Sequence, residues 1–271
     1  MPKSFALAKR FNLATDNLPR RIIASLDGEV GVGKTHFALT APGPTLVQNI
    51  DKGTEGVIEK FRLEGREVYE EMYEWNPGAV DDDEESNLKE EAELKEAAIE
   101  VRNKWEKDFH YFVDNGGKTI IEDTESRIWQ VYRYAEFGGP QTGDLKDFDK
   151  LNLRFEGLIN KVKSVPDVNL FLIRSMKDRW GMYGKPKADG SKSFAKSGRE
   201  VWGYEHLPAC VAVELTFVRD EKMRDEFGTA NVIKIGKCRH NDKLAWTTIP
   251  RCSFAEFGME LIEGSSVEDW Q

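Results

Sequence analysis

The chain has 271 residues, 39% hydrophobic and 32% charged, with a formal net charge of −9. That length buries a full core in one α/β domain, and no apolar run approaches the roughly 18 residues of a membrane span, which excludes a helical membrane protein. Cys210, Cys238 and Cys252 are odd in number and widely spaced, which excludes a CxxC metal site and a disulfide framework. A cytoplasmic protein is expected, because the N-terminus also lacks an apolar leader.

Residues 1–20 form an N-terminal arm that carries Lys3, Lys9, Arg10 and Arg20 among few acids. Ile22, Ile23, Ala24 and Leu26 then read as a buried strand, and it runs straight into Gly28-Glu29-Val30-Gly31-Val32-Gly33-Lys34-Thr35, a match to G-x-x-x-x-G-K-[ST]. The residue types suit a triphosphate. Glycines let the backbone curl until several N–H groups face the anion, Lys34 reaches the outer phosphates, and the Thr35 hydroxyl is a ligand for Mg²⁺. His36 lies in a helix that stops at Ala41-Pro42-Gly43-Pro44. A nucleoside triphosphate site over Gly28 to His36 is expected.

Thr45 to Ile50 reads as a second strand, ending at Asp51 and followed by a Gly-containing turn and a short helix through Ile58 and Phe61. Acids at a strand's C-terminal end lie on the ligand side of an open α/β sheet, so Glu55, or alternatively Asp51, is the candidate for orienting an attacking water. An acidic insertion spans about 80–96, and a helical stretch runs from about Asn87 to Phe109. Lys118 to Asp123 is a β-branched strand ending in acid. Asp123 at its tip is the candidate Mg²⁺ ligand, with Glu122 as the competitor. Helices follow over Glu125 to Tyr134 and Phe148 to Val165, and then a strand through Ile173 that exits at Ser175, a candidate γ-phosphate contact.

From 177 to 202 the composition turns basic, with Lys177, Arg179, Lys185, Lys187, Lys192, Lys196 and Arg199 interleaved with Trp180 and other aromatics and with glycines. Cations attract a phosphate backbone and aromatic faces stack bases, so a long nucleic-acid-binding loop is expected here. Three alternating strands close the chain, over Cys210 to Phe217, Asn231 to Cys238 and Leu244 to Ile249. Lys237 and Arg239, two residues apart, share a face. Residues 256–271 read as a C-terminal tail with a surface helix.

The chain resembles the RecA-like branch of P-loop ATPases over residues 21 to about 250, and within it the compact phage-encoded ATPases of single-strand annealing and recombination. The resemblance rests on Gly28 to Thr35, the strand ending in Asp123, the basic segment after Ile173 and Lys237-Cys238-Arg239. It implies one RecA-like α/β domain over 21–255, a mostly parallel sheet flanked by helices with antiparallel strands at the C-terminal edge. Hydrolysis of ATP with Mg²⁺ is implied too, with Lys34, Glu55 and Asp123 in the protomer's own site and Lys237 and Arg239 reaching a neighbour's γ-phosphate. Phe5-Ala6-Leu7-Ala8 has the F-x-x-A spacing by which such subunits dock on each other. The implied partners are single-stranded DNA, further copies of the chain and a replication or recombination protein, in the host cytoplasm if the source is a phage. Two rival readings are an ATPase loader acting on a protein partner and a nucleotide-binding conformational module without turnover.

Overall fold

The computed structural model describes residues 21–77, 84–139, 145–182, 194–262 and 264–270. Five strands come first along the chain: β1 (Ile23–Gly28), β2 (Thr45–Asn49), β3 (Val68–Met72), β4 (Thr119–Asp123) and β5 (Asn169–Arg174). All but β3 are buried at every position, as short apolar strands are when helices cover both faces of a parallel sheet. With β8 (Val213–Arg219), β9 (Asn231–Cys238) and β10 (Thr248–Pro250) they make an eight-stranded sheet in the order β10-β9-β8-β1-β5-β4-β2-β3. Every pairing from β3 across to β8 is parallel, and β8-β9 and β9-β10 are antiparallel. The expected α/β class, with a mostly parallel sheet and antiparallel strands added at the C-terminal edge, is the fold observed.

Side-chain alternation divides the core in two. Ile23, Ile120, Leu170 and Leu172 face a layer built by α3 (Glu84–Asp114), α4 (Glu125–Phe137) and α5 (Leu145–Ser164), where Trp105, Tyr132, Phe155 and Tyr204 are fully buried. Ile22, Ala24, Leu26, Ile121, Phe171 and Ile173 face the other layer, made by α1 (Lys34–Leu39), α2 (Val57–Leu63) and the C-terminal α8 (Phe254–Leu261), which follows two one-turn helices, α6 (Leu207–Cys210) and α7 (Arg224–Phe227). Phe37 of α1 sits edge-on to Phe171, Phe217 and Phe257, so the helix after the glycine loop is wedged by rings from two strands and from α8.

Two expectations are corrected. The described parts of the basic 177–202 segment form a two-stranded antiparallel ribbon rather than a loop, β6 (Met176–Met182) paired with β7 (Phe194–Val201) and bulged between Arg179 and Trp180, while 183–193 lie outside the described residues. From residue 84 the acidic stretch opens α3, whose later turns bury Ala98, Trp105, Phe109 and Val113. The C-terminal residues are core rather than tail. Phe254, Phe257 and Leu261 are buried, Ser253 caps α8 in a reciprocal box with Glu256, and Trp270 packs on Phe254. The N-terminal arm 1–20, including Phe5 to Ala8, lies outside the described residues.

Candidate nucleotide site

The glycine loop leaves β1 at Gly28, whose φ of 140° and a built Cβ only 2.4 Å from the Phe217 carbonyl oxygen admit no side chain. Gly33, with φ 95°, turns the chain into α1. Lys34 is buried, and its Nζ donates to the carbonyls of Gly28 and Glu29 at 2.7 Å each, curling over the loop. Burial lowers the Lys34 pKa, and the nearby Asp123, Asp27, Glu29 and Asp51 pull it back up.

Two strands away, β4 ends at Asp123, and β5 lies between β4 and β1 in the sheet. The Thr35 hydroxyl donates to Asp123 Oδ2 at 2.7 Å, so the two side chains named from sequence 88 residues apart meet. Burial raises the Asp123 carboxyl to about 6; the Thr35 hydrogen bond and Lys34 oppose the rise and Asp51 adds to it. A desolvated carboxylate beside a hydroxyl is a hard oxygen pair suited to Mg²⁺, which commonly takes one or two protein oxygens and keeps waters and phosphates for the rest. Glu122, the competitor, is buried on the strand and its pKa is raised well above the ordinary value by burial and by Glu125.

A cavity of about 240 Å³ opens between the loop and the strand ends, lined by Gly33, Lys34, Thr35, Asp51, Asp123 and Ser175 among others. Both acids are exposed on the turn, but the alternative, Asp51, lines the cavity and Glu55 does not. The Asp51 turn is braced from below. Asn49 donates to Thr54 at 2.5 Å and to Glu70 at 2.9 Å, accepts from the Lys52 amide at 2.9 Å, and Thr54 donates to Glu70 at 2.7 Å.

Behind the loop lies a charge cluster the sequence reading missed. Arg174 at the end of β5 forks onto Asp27 at the end of β1, with Nε and Nη2 at 2.7 and 2.8 Å from its two oxygens. Glu125, fully buried, takes the Tyr204 amide at 2.9 Å; burial pushes its carboxyl up to about 7 despite that bond and Arg174. Ser126 accepts from the Ser175 amide at 2.9 Å and donates to the Trp202 carbonyl at 2.6 Å, tying both roots of the ribbon to the start of α4. Asp27 and Arg174 each end an apolar run, and that was the available signal; their pairing is 147 residues long-range and appears only in the fold.

The basic ribbon carries less free charge than its sequence suggests. Lys177 pairs with Glu200 at 3.3 Å, Lys196 with Asp178 at 2.7 Å, and Arg199 with Asp178 at 3.4 Å and with Glu29 of the glycine loop at 3.0 Å. Arg179 bonds Ser197 at 3.3 Å. Lys185, Lys187 and Lys192 lie outside the described residues. Lys237 donates to the carbonyls of Pro208 and Val211, and the exposed Arg239 donates to that of Ala209 at 2.9 Å. Register places Lys237 opposite Glu214 at the start of β8, the end of the sheet away from Gly28, so this pair does not meet the protomer's own glycine loop.

No helix of the described residues is long and apolar enough to cross a membrane. No protein-family model matches the chain, and no curated protein matches it. Among solved structures it is similar to a protein reported as a prototypical ATPase from the type III secretion system of pathogenic bacteria, with 13% identity and a TM-score of 0.44. That match covers 80% of this chain and spans 58% of the other chain's length.

Proposed function

We propose that this protein binds ATP with Mg²⁺ and hydrolyses it, as a RecA-like P-loop ATPase. The observation that carries the reading is the 2.7 Å meeting of Thr35 with Asp123 beside a buried Lys34, groups from two distant stretches converging on one cavity. In this reading the amides of Val30 to His36 and Lys34 hold the phosphates, and Thr35 and Asp123 hold the metal, which supplies charge neutralisation to the β and γ oxygens when bound. Asp51, rather than the outlying Glu55, orients the attacking water, because it shares the cavity and stands on a braced turn. Lys34 exchanges its two carbonyl acceptors for phosphate oxygens.

The wider reading has turnover coupled to single-stranded DNA in recombination or replication. Its support is the ribbon, which roots on Ser126 and Ser175 at the nucleotide end of the sheet and pairs through Arg199 with Glu29 of the loop itself. Lys237 and Arg239 serve a neighbouring copy's site in this reading, since they stand at the opposite end of the sheet from their own. The rival loader would dock a protein partner instead, with no response to DNA.

One experiment addresses these levels together. Wild type should hydrolyse ATP and be stimulated by single-stranded DNA in a manner lost steeply with salt, and Lys34→Ala should cut turnover by about 10²–10³-fold or more. Lys34→Ala mixed with Arg239→Ala should regain activity, because only mixed neighbours pair an intact site with an intact finger. Equal turnover in wild type and Lys34→Ala would remove the central assignment. Salt-independent turnover indifferent to DNA would leave an ATPase without the nucleic-acid role.

A further inference from the structure

The cavity beside Asp51 and Asp123 is one flank of the glycine loop, and the other flank is built by the opposite edge of the sheet. Arg251 follows β10 directly, and its guanidinium lies on Gly33: a Cβ built there would be 2.6 Å from Nη1 and 2.7 Å from Cζ. The root of this side chain is fixed. The Arg251 amide donates to the Asn231 carbonyl at 3.0 Å, and three residues on the Phe254 amide donates to the Thr40 hydroxyl of the α1 C-cap at 2.7 Å. The guanidinium is half-buried, and no ion pair with a described carboxylate involves it.

An arginine held against Gly33, with no described carboxylate paired to it, is poised for an anion that arrives with a ligand. The acids stand on the other flank, where metal and terminal phosphate belong. The nucleoside side of the nucleotide therefore falls toward Gly33 and Arg251.

We infer that Arg251 is a nucleotide-binding residue contributed in cis by the antiparallel edge, gripping the α-phosphate and ribose side of a bound nucleoside di- or triphosphate. This rests on the proposed nucleotide site and adds to it a residue outside the glycine motif. Its contacts are made equally with ATP and ADP, so it contributes uniform binding rather than transition-state stabilisation.

The test measures Mg·ATP and Mg·ADP affinity by calorimetry, together with turnover, in wild type, Arg251→Ala, Arg251→Gln and Arg251→Lys, with Lys34→Ala as the loop control. The expected result is weakening of both nucleotides by the same factor, about tenfold or more for loss of a charge-assisted contact, with kcat at saturation within about twofold. Arg251→Lys should recover part of the loss, as a point charge without the planar fork. Arg251→Gln keeps much of the side-chain packing and gives the answer if the alanine variant is poorly folded. Unchanged affinity for both nucleotides in a protein whose wild type binds them would overturn the inference. Intact ADP binding with kcat lost would overturn it too, by moving Arg251 to the γ-phosphate. A wild type that binds neither nucleotide would instead remove the underlying site.

Discussion

The two ends of the central sheet are built from similar strands and treated in opposite ways. Where β4 and β5 begin, buried polar groups are closed into a set. Asn169 accepts the Ile22 amide at 2.8 Å and donates to Lys118 and Thr119 at 3.3 Å, while the Thr119 hydroxyl donates to the Pro42 carbonyl at 2.7 Å. Where the same strands end, Glu122 Oε2, Thr124 Oγ1 and Glu125 Oε2 are buried with no hydrogen-bond partner among the described residues, and Asp123 and Glu125 are pushed up to about 6 and about 7. Closed polar sets stabilise a fold, whereas incompletely satisfied buried acids cost stability and are retained where chemistry needs them. The contrast agrees with the C-terminal ends being the working end that the proposed nucleotide site requires.

Substitutions at the two ends should therefore move stability and activity in opposite directions. Asp123→Asn should lower turnover by about 10²–10³-fold while making the nucleotide-free protein more stable near neutral pH. The sign follows from its carboxyl. The folded value of about 6 lies above the unfolded 3.8, so the folded state holds the extra proton between them and stability falls as pH rises through that window. The gain in Asp123→Asn should accordingly be about 2–3 kcal/mol at pH 7 and vanish near pH 4, read from denaturant midpoints at the two pH values. A less stable Asp123→Asn at pH 7 would break the comparison.

At the other end, Asn169→Ala should destabilise by about 1–3 kcal/mol, because it strands the Ile22 amide, and leave ATP affinity unchanged. A shifted Kd with a normal melting midpoint would contradict it. Glu125→Gln removes a buried charge while keeping an acceptor for the Tyr204 amide. With its folded carboxyl at about 7 against an ordinary 4.5, the substitution should raise the melting midpoint at pH 8 by several degrees, and the gain should fade as the pH falls below 4.5.

How much of this was legible in the sequence depends on range. The glycine loop is local, so Gly28 to Thr35 could be read directly, and Asp123 stood out as an acid ending an apolar run. The choice between Asp51 and Glu55 needed the turn's direction, which Asn49, Thr54 and Glu70 set together. The ribbon was misread as a loop because its alternation is broken by the bulge after Arg179, and because its acids neutralise its bases across strands rather than along them. The C-terminal helix was readable in part. Phe254, Phe257 and Leu261 recur at helical spacing behind a Ser253 cap, but their burial depends on meeting Phe37 and Phe171 more than 80 residues away. Arg251 carries no local signal at all, since what distinguishes it is a glycine over 200 positions earlier.

The packing of α8 also bears on synthesis. Phe257 braces Phe37, the Phe254 amide bonds Thr40, and Trp270 lies so close to Gly258 that a built Cβ would stand 2.2 Å from its ring. The helix that follows the glycine loop thus gains its last supports from residues translated more than 210 positions after it. During synthesis the glycine loop emerges long before these residues do, so the support of its helix forms only once residues 254–270 have left the ribosome exit tunnel.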